Sequence, residues 1–204
     1  MCGGESMKRF KTPRGAFFLF LAIGCVLLAY YMINVKIERS KPEDYVQLTK
    51  VQEVLSRNLE TNYPQTPKEV IKYYSELTKC FYNEEYTEEE FQALAMKAME
   101  LYDYELAGNK TEEQYLTDLK SEIRIFKEKN YAISSYSTSS STDVYDFVED
   151  GYQFARLYCT YNVRMGTVIQ PIEEIFLLRM DLEGHWKIYG WDLAKEHQEL
   201  LNQN

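Results

Sequence analysis

Histidine and cysteine are scarce: two and four in 204 residues. No CxxC or HxxxH pair occurs, so zinc sites of recognisable spacing are excluded and no metal ligand is assigned. Cationic surplus is missing too. The 23 Lys and Arg are outnumbered by 32 Asp and Glu, giving a formal net charge of -9. Nucleic-acid binding needs a basic footprint, so that class of partner is set aside. No internal repeat is present, and the length is too short for two full domains. What is abundant is apolar and aromatic: hydrophobic residues make up 45% and there are 18 tyrosines. Such a chain folds rather than staying disordered.

Charge is distributed unevenly. Lys8, Arg9, Lys11 and Arg14 precede an uncharged run from Gly15 to Val35, opposed only by Glu5. About 20 apolar residues cross a bilayer as a helix, and a basic flank favours a cytoplasmic N-terminus. The expectation is a single-pass membrane protein: a cytoplasmic basic tail at 1–14, a transmembrane helix at 15–35 and an extracellular C-terminal domain. The run is too long, and ends in residues too bulky, for a cleaved signal peptide. Leu21-Ala22-Ile23-Gly24-Cys25 offers a rival in which Cys25 is lipidated, although the apolar run continues ten residues beyond it.

Residues 36–65 read as a stalk punctuated by Pro42 and Pro64, with a helix near 43–58 carried by Val46, Val51, Val54 and Leu55. Three helix starts follow. Thr66-Pro67-Lys68-Glu69, Thr87-Glu88-Glu89-Glu90 and Thr111-Glu112-Glu113-Gln114 each match a capping box, and each precedes an apolar stripe at helical spacing. After Asn130 the period changes to two. A weakly alternating Ser/Thr-rich segment, an Asp150-Gly151 turn, and strands over Tyr152 to Met165, Ile172 to Leu182 and His185 to Asp192 complete an antiparallel meander. A polar tail at 194–204, with a short helix over Ala194 to Asn202, closes the chain. The layout predicts an α+β domain at 66–193, with three helices covering one face of about four strands.

That order resembles the NTF2-like (cystatin-like) superfamily, in which a curved sheet wraps around helices to form a cone. The closing hairpin carries the resemblance: Phe176-Leu177-Leu178-Arg179-Met180, then Leu182-Glu183-Gly184-His185-Trp186-Lys187-Ile188, then Trp191-Asp192-Leu193. With the apolar run in front, the chain also resembles single-pass extracytoplasmic proteins of Gram-positive gut bacteria. Thr66-Pro67-Lys68-Glu69-Val70 and Lys79-Cys80-Phe81-Tyr82-Asn83-Glu84 are the segments concerned. Scaffold subunits of secretion and conjugation machines share the architecture. The superfamily includes enzymes whose apolar cone holds a carboxylate or His base.

No base and donor pair converges in the sequence, so no catalytic residue and no cofactor is assigned, and the chain is read as non-enzymatic. Arg156, Arg164, Arg179 and Asp181 alternate with the apolar strand residues and are expected on a solvated face. His185 and His197 are expected at the surface. Tyr74, Tyr158, Tyr161, Tyr189 and Trp191 are the candidate pocket or interface residues, because their rings bury an apolar body and keep a polar tip. Cys80 and Cys159 fall at core positions; they form the candidate disulfide, with two unpaired buried thiols as the alternative. The expected role is a binding or assembly module at the cell envelope. The rival roles are a cone for a small amphipathic ligand or an enzymatic cone, and a secretion or conjugation scaffold. Each leaves the membrane, a second copy or an envelope protein as partner.

Overall fold

Side-chain caps decide where the helices start. The computed structural model describes residues 48–194, together with Tyr30. Helices α1 (Lys50–Leu55), α3 (Glu88–Glu100) and α5 (Glu112–Glu128) each open on a complete capping box, formed by Thr49 with Gln52, Thr87 with Glu90, and Thr111 with Gln114. In each the threonine oxygen accepts the backbone N–H three positions on, and the partner side chain returns to the cap's own N–H. Two donors that the helix leaves open are thereby satisfied. Helix α2 (Pro67–Asn83) is capped from one side only. Thr66 accepts the Glu69 N–H, but the Glu69 carboxylate takes the N–H of Gln65 at 2.9 Å. A five-residue helix α4 (Tyr104–Gly108) starts on Asp103.

The sheet has five antiparallel strands: β1 (Tyr131–Thr138), β2 (Tyr145–Glu149), β3 (Tyr152–Met165), β4 (Val168–Met180) and β5 (Trp186–Leu193). Its order is β1-β3-β4-β5, with β2 lying beyond β1 along the same edge of β3. The β2–β3 turn is Asp150-Gly151, both at positive φ (50° and 81°), the geometry a two-residue hairpin needs. Pro171 falls inside β4 rather than before it. It pairs with Asn162 of β3, and β5 reaches only as far as Glu174, so a missing donor on that side leaves no ladder bond broken.

Two bulges re-aim side chains. In β1 the register slips between Ile133 and Ser135, which is why the Ser/Thr-rich segment alternates weakly. Asn83, the last residue of α2, pins this point: its amide donates to the Ile133 carbonyl at 2.8 Å and accepts the Ile133 N–H at 2.9 Å. In β5 the register slips opposite Leu177/Leu178, so Tyr189 and Gly190 together span one step of β4.

Helices α2 and α5 cover one face of the sheet, and α1 packs on α2 and α3. That face carries Ala155, Leu157, Cys159, Tyr161 and Val163 from β3 and Phe176 and Leu178 from β4, all buried. Burial of a Leu or Val of this kind contributes about 1.5–3 kcal/mol. The segment from 48 to 65 is not a free stalk: Val51, Val54, Leu59 and Tyr63 belong to the same core, and the Tyr63 hydroxyl donates to the Trp186 carbonyl at 2.9 Å.

The expected fold is corrected in three respects. The described domain is α+β, but it holds five strands rather than about four. It holds five helices: α1 falls within the helix expected near 43–58, α2, α3 and α5 are the three expected next, and the short α4 between α3 and α5 is the addition. Among the described residues no helix is long and apolar enough to cross a membrane, so the described fold contains no transmembrane helix. Its described helices have at most 17 residues and are amphipathic. The run at 15–35, apart from Tyr30, lies outside the described residues, as do the basic tail, Cys25 and the closing helix expected beyond Ala194.

Candidate functional site

Strand β4 sets the site through its period of two. Ile172, Glu174, Phe176 and Leu178 share one parity, and their β3 partners are Tyr161, Cys159, Leu157 and Ala155. Those partners are the inward row, so the Glu174 carboxylate is carried onto the helix-facing side of the sheet. Among the described residues nothing donates a hydrogen bond to it and no cation pairs with it. Burial alone pushes its pKa up to about 7. An ionised carboxylate without a partner is costly in apolar surroundings, and proton uptake relieves that cost.

Glu174 lines a cavity of about 460 Å³ between α2, α5 and the sheet. This is the volume of a small-molecule site. Its walls are largely aromatic. Tyr74 on α2, Tyr102 between α3 and α4, and Trp191 on β5 form a triangle with ring centroids 5.8–6.1 Å apart. Tyr115 on α5 meets Tyr102 edge-on at 6.0 Å. The phenols are linked: the Tyr102 hydroxyl donates to Tyr74 at 3.5 Å and lies 3.3 Å from that of Tyr115. Burial raises the pKa of Tyr74, Tyr102 and Tyr115 so far that all three remain neutral donors at any physiological pH. Leu119, Phe126, Ile133 and Val163 supply apolar wall, and Asp118, Glu122 and Lys110 complete the lining. Lys110 is already paired with Asp118 at 2.6 Å.

Tyr102 is held by the backbone. The Asp103 N–H donates to the Ile188 carbonyl and the Ile188 N–H to the Leu101 carbonyl, both at 2.8 Å. This short parallel bridge covers the free edge of β5. Trp191 reaches the cavity through the β5 bulge. Strict alternation groups it with Lys187 and Tyr189 on the outer face; the extra residue returns it to the cavity side, stacked 6.1 Å from Phe176 and still 41% exposed.

Of the five pocket candidates, Tyr74, Tyr161 and Trp191 line the cavity. Tyr158 and Tyr189 do not. Tyr158 lies on the outer face, 38% exposed, because its parity is opposite to that of Cys159. Tyr189 lies outside with Arg179. Of the two readings of the cysteine pair, the structure has the unpaired one: Cys80 and Cys159 are buried free thiols. Cys80 faces α1, with Sγ 4.0 Å from the Lys50 carbonyl oxygen, whereas Cys159 lies 3.5 Å from the Ser75 hydroxyl. Ser75 also bonds the Tyr161 hydroxyl at 2.8 Å. Glu174, Tyr102 and Tyr115 join the site from outside those five candidates. Glu174 carries a sequence signal, since extending the Phe176, Leu178, Met180 alternation two residues back reaches it.

Arg179 is not solvated. It lies on the outer face, 5% exposed, forked onto Asp103 through Nε at 2.9 Å and through Nη2, and onto Glu105 through Nη1 at 2.8 Å. The rings of Tyr104, Tyr152 and Tyr189 surround its guanidinium at 4.8–5.0 Å. Bonds from Arg179, Tyr104 and Tyr189 hold the Glu105 carboxyl below the usual range. The cluster fastens α4, whose Leu106 and Ala107 line the cavity, to the sheet. At the β4–β5 turn Asp181, Glu183 and His185 bring three ligand atoms within 4.8 Å of one another. Asp181 Oδ1 there accepts the N–H groups of Glu183 and His185, which is ordinary turn chemistry.

No curated protein matches the chain. The family match assigns it no enzymatic activity. With a match running from residue 5 to residue 191, through every described helix and strand that builds the cavity, the chain belongs to the family described as Domain of unknown function (DUF6715).

Proposed function

We propose that this domain is a non-enzymatic binding module that takes a small amphipathic molecule into an NTF2-like cone. The observation that carries the reading is the cavity of about 460 Å³ with aromatic walls and neutral phenol tips. Rings of this kind hold an apolar body while hydroxyls orient a polar end. The order of helices followed by an antiparallel meander supports the NTF2-like reading. So does the placement of the cavity between that sheet and its helices. The cavity phenols hydrogen-bond one another rather than the Glu174 carboxylate, which favours binding over an assembled base-and-donor reaction.

Trp191 is a built-in reporter. The chain has two tryptophans, so Trp186→Phe leaves Trp191 alone at the cavity. The full-length Trp186→Phe chain is titrated with N-phenyl-1-naphthylamine, and energy transfer from Trp191 is followed. The expected result is a saturable one-to-one signal that is lost when Ala107→Phe places a ring in the cavity. A signal that rises without saturating, or that Ala107→Phe leaves intact, overturns the reading.

A further inference from the structure

The balance of charge around the cavity indicates which amphipathic molecules suit it. Three carboxylates line it against one lysine, and that lysine is occupied by Asp118. Glu122 on α5 shares the field of that same lysine, and Glu174 on β4 has no ion pair among the described residues. Glu174 points inward among the aromatic rings, where solvent compensates an ionised group poorly. The faces of Tyr and Trp attract cations through their quadrupole, most strongly when water is excluded. The Tyr74, Tyr102 and Trp191 rings pack on one another at 5.8–6.1 Å and form one continuous aromatic wall, against which a small charged head can lie. A negative ligand would meet unpaired carboxylates, and a neutral one would leave Glu174 uncompensated. A positive one satisfies the carboxylate and the rings together.

We infer that the cavity selects organic cations: amphipathic amines or quaternary ammonium compounds whose charged head sits between the Tyr74, Tyr102 and Trp191 rings and the Glu174 carboxylate. This rests on the binding role proposed above and narrows its ligand class. The groups facing Glu174 do not compete for protons between pH 5 and 8. Tyr74 and Tyr82 of α2, and Tyr161 and Cys159 of β3, are all shifted upward by burial. Glu122, Asp118 and Lys110 are the charged groups that line the cavity with it.

The test uses the full-length chain and two probes of equal shape, benzyltrimethylammonium and its uncharged isostere neopentylbenzene, followed by calorimetry. At pH 8 the cation is expected to bind at least about tenfold more tightly. Glu174→Gln is expected to erase most of that preference, and Trp191→Leu to reduce it. Glu122→Gln serves as the control for charge at the cavity lining and should change it less. Lowering the pH to 5 protonates Glu174 and should weaken cation binding by about tenfold or more. The quaternary probe itself cannot titrate, so the change belongs to the protein. Equal affinity for the two probes, or a preference that survives Glu174→Gln at full size, overturns the cation inference while leaving the binding role standing. If neither probe binds, both fall.

Discussion

Glu174→Gln should make the protein more stable at neutral pH, although it replaces a residue of the candidate site by its isostere. Burial raises the Glu174 carboxyl from 4.5 to about 7 in the folded chain. Between those values the folded state holds a proton that the unfolded state has released. Stability then falls as pH rises through that window, and above it the loss is complete. A difference of one pH unit between the folded and unfolded titrations corresponds to about 1.4 kcal/mol, so the ionised carboxylate costs on the order of 3 kcal/mol as a ceiling. Water at the cavity mouth lowers the real figure, and about 2 kcal/mol is the expected size. Glutamine keeps the shape and never ionises. Urea unfolding of both chains at pH 5 and pH 8 isolates the effect, because every other titrating group cancels in the comparison. Because pH 5 already lies inside that window, the variant should gain about 1 kcal/mol more at pH 8 than at pH 5. An equal difference at both values, or a variant less stable at pH 8, would show that the carboxylate has a partner or is hydrated, and the reasoning would fail.

Other consequences follow from particular contacts. Arg179→Met strands the carboxylate of Asp103, which is 2% exposed, and should cost about 3–5 kcal/mol in urea unfolding. Adding Asp103→Leu should restore part of the loss, and no recovery would refute the pairing argument. Thr87→Ala removes the oxygen that caps α3 and should cost about 1 kcal/mol, whereas Thr78→Ala, whose hydroxyl bonds within its own helix, should cost less on the same assay. Cys80, whose thiol burial pushes up to about 11, and Cys159 should resist alkylation at pH 8 until urea unfolds the chain. Peptide mapping by mass spectrometry checks both sites, and rapid labelling of either in the native chain would contradict their burial.

Local chemistry was the readable part of this fold. Threonine caps announced the three long helices, and an Asp-Gly pair announced the first hairpin, because each depends on residues within a few positions. The box at Thr49 and Gln52 uses the same chemistry, but only a short stripe follows it before Ser56. What failed depended on register or on distant partners. A one-residue bulge in β5 brought Trp191 inward and left Tyr189 outside, and parity alone has no means of seeing it. Arg179 alternates like a solvated residue; its burial is created by Asp103, 76 positions earlier. Cys80 and Cys159 both occupy core positions, yet one faces α1 and the other Ser75, a difference set by the packing of α2. Glu174 could have been read from alternation, since it continues an apolar row. A charged residue in such a row is the pattern that marks a site rather than a face.

The cavity itself is tested most directly by nuclear Overhauser contacts in the full-length chain with bound benzyltrimethylammonium. The methyl protons of the probe should show contacts to the ring protons of Tyr74, Tyr102 and Trp191. Saturable binding with contacts instead to outer-face rings such as Tyr145 or Tyr158 would place the ligand elsewhere and contradict the account.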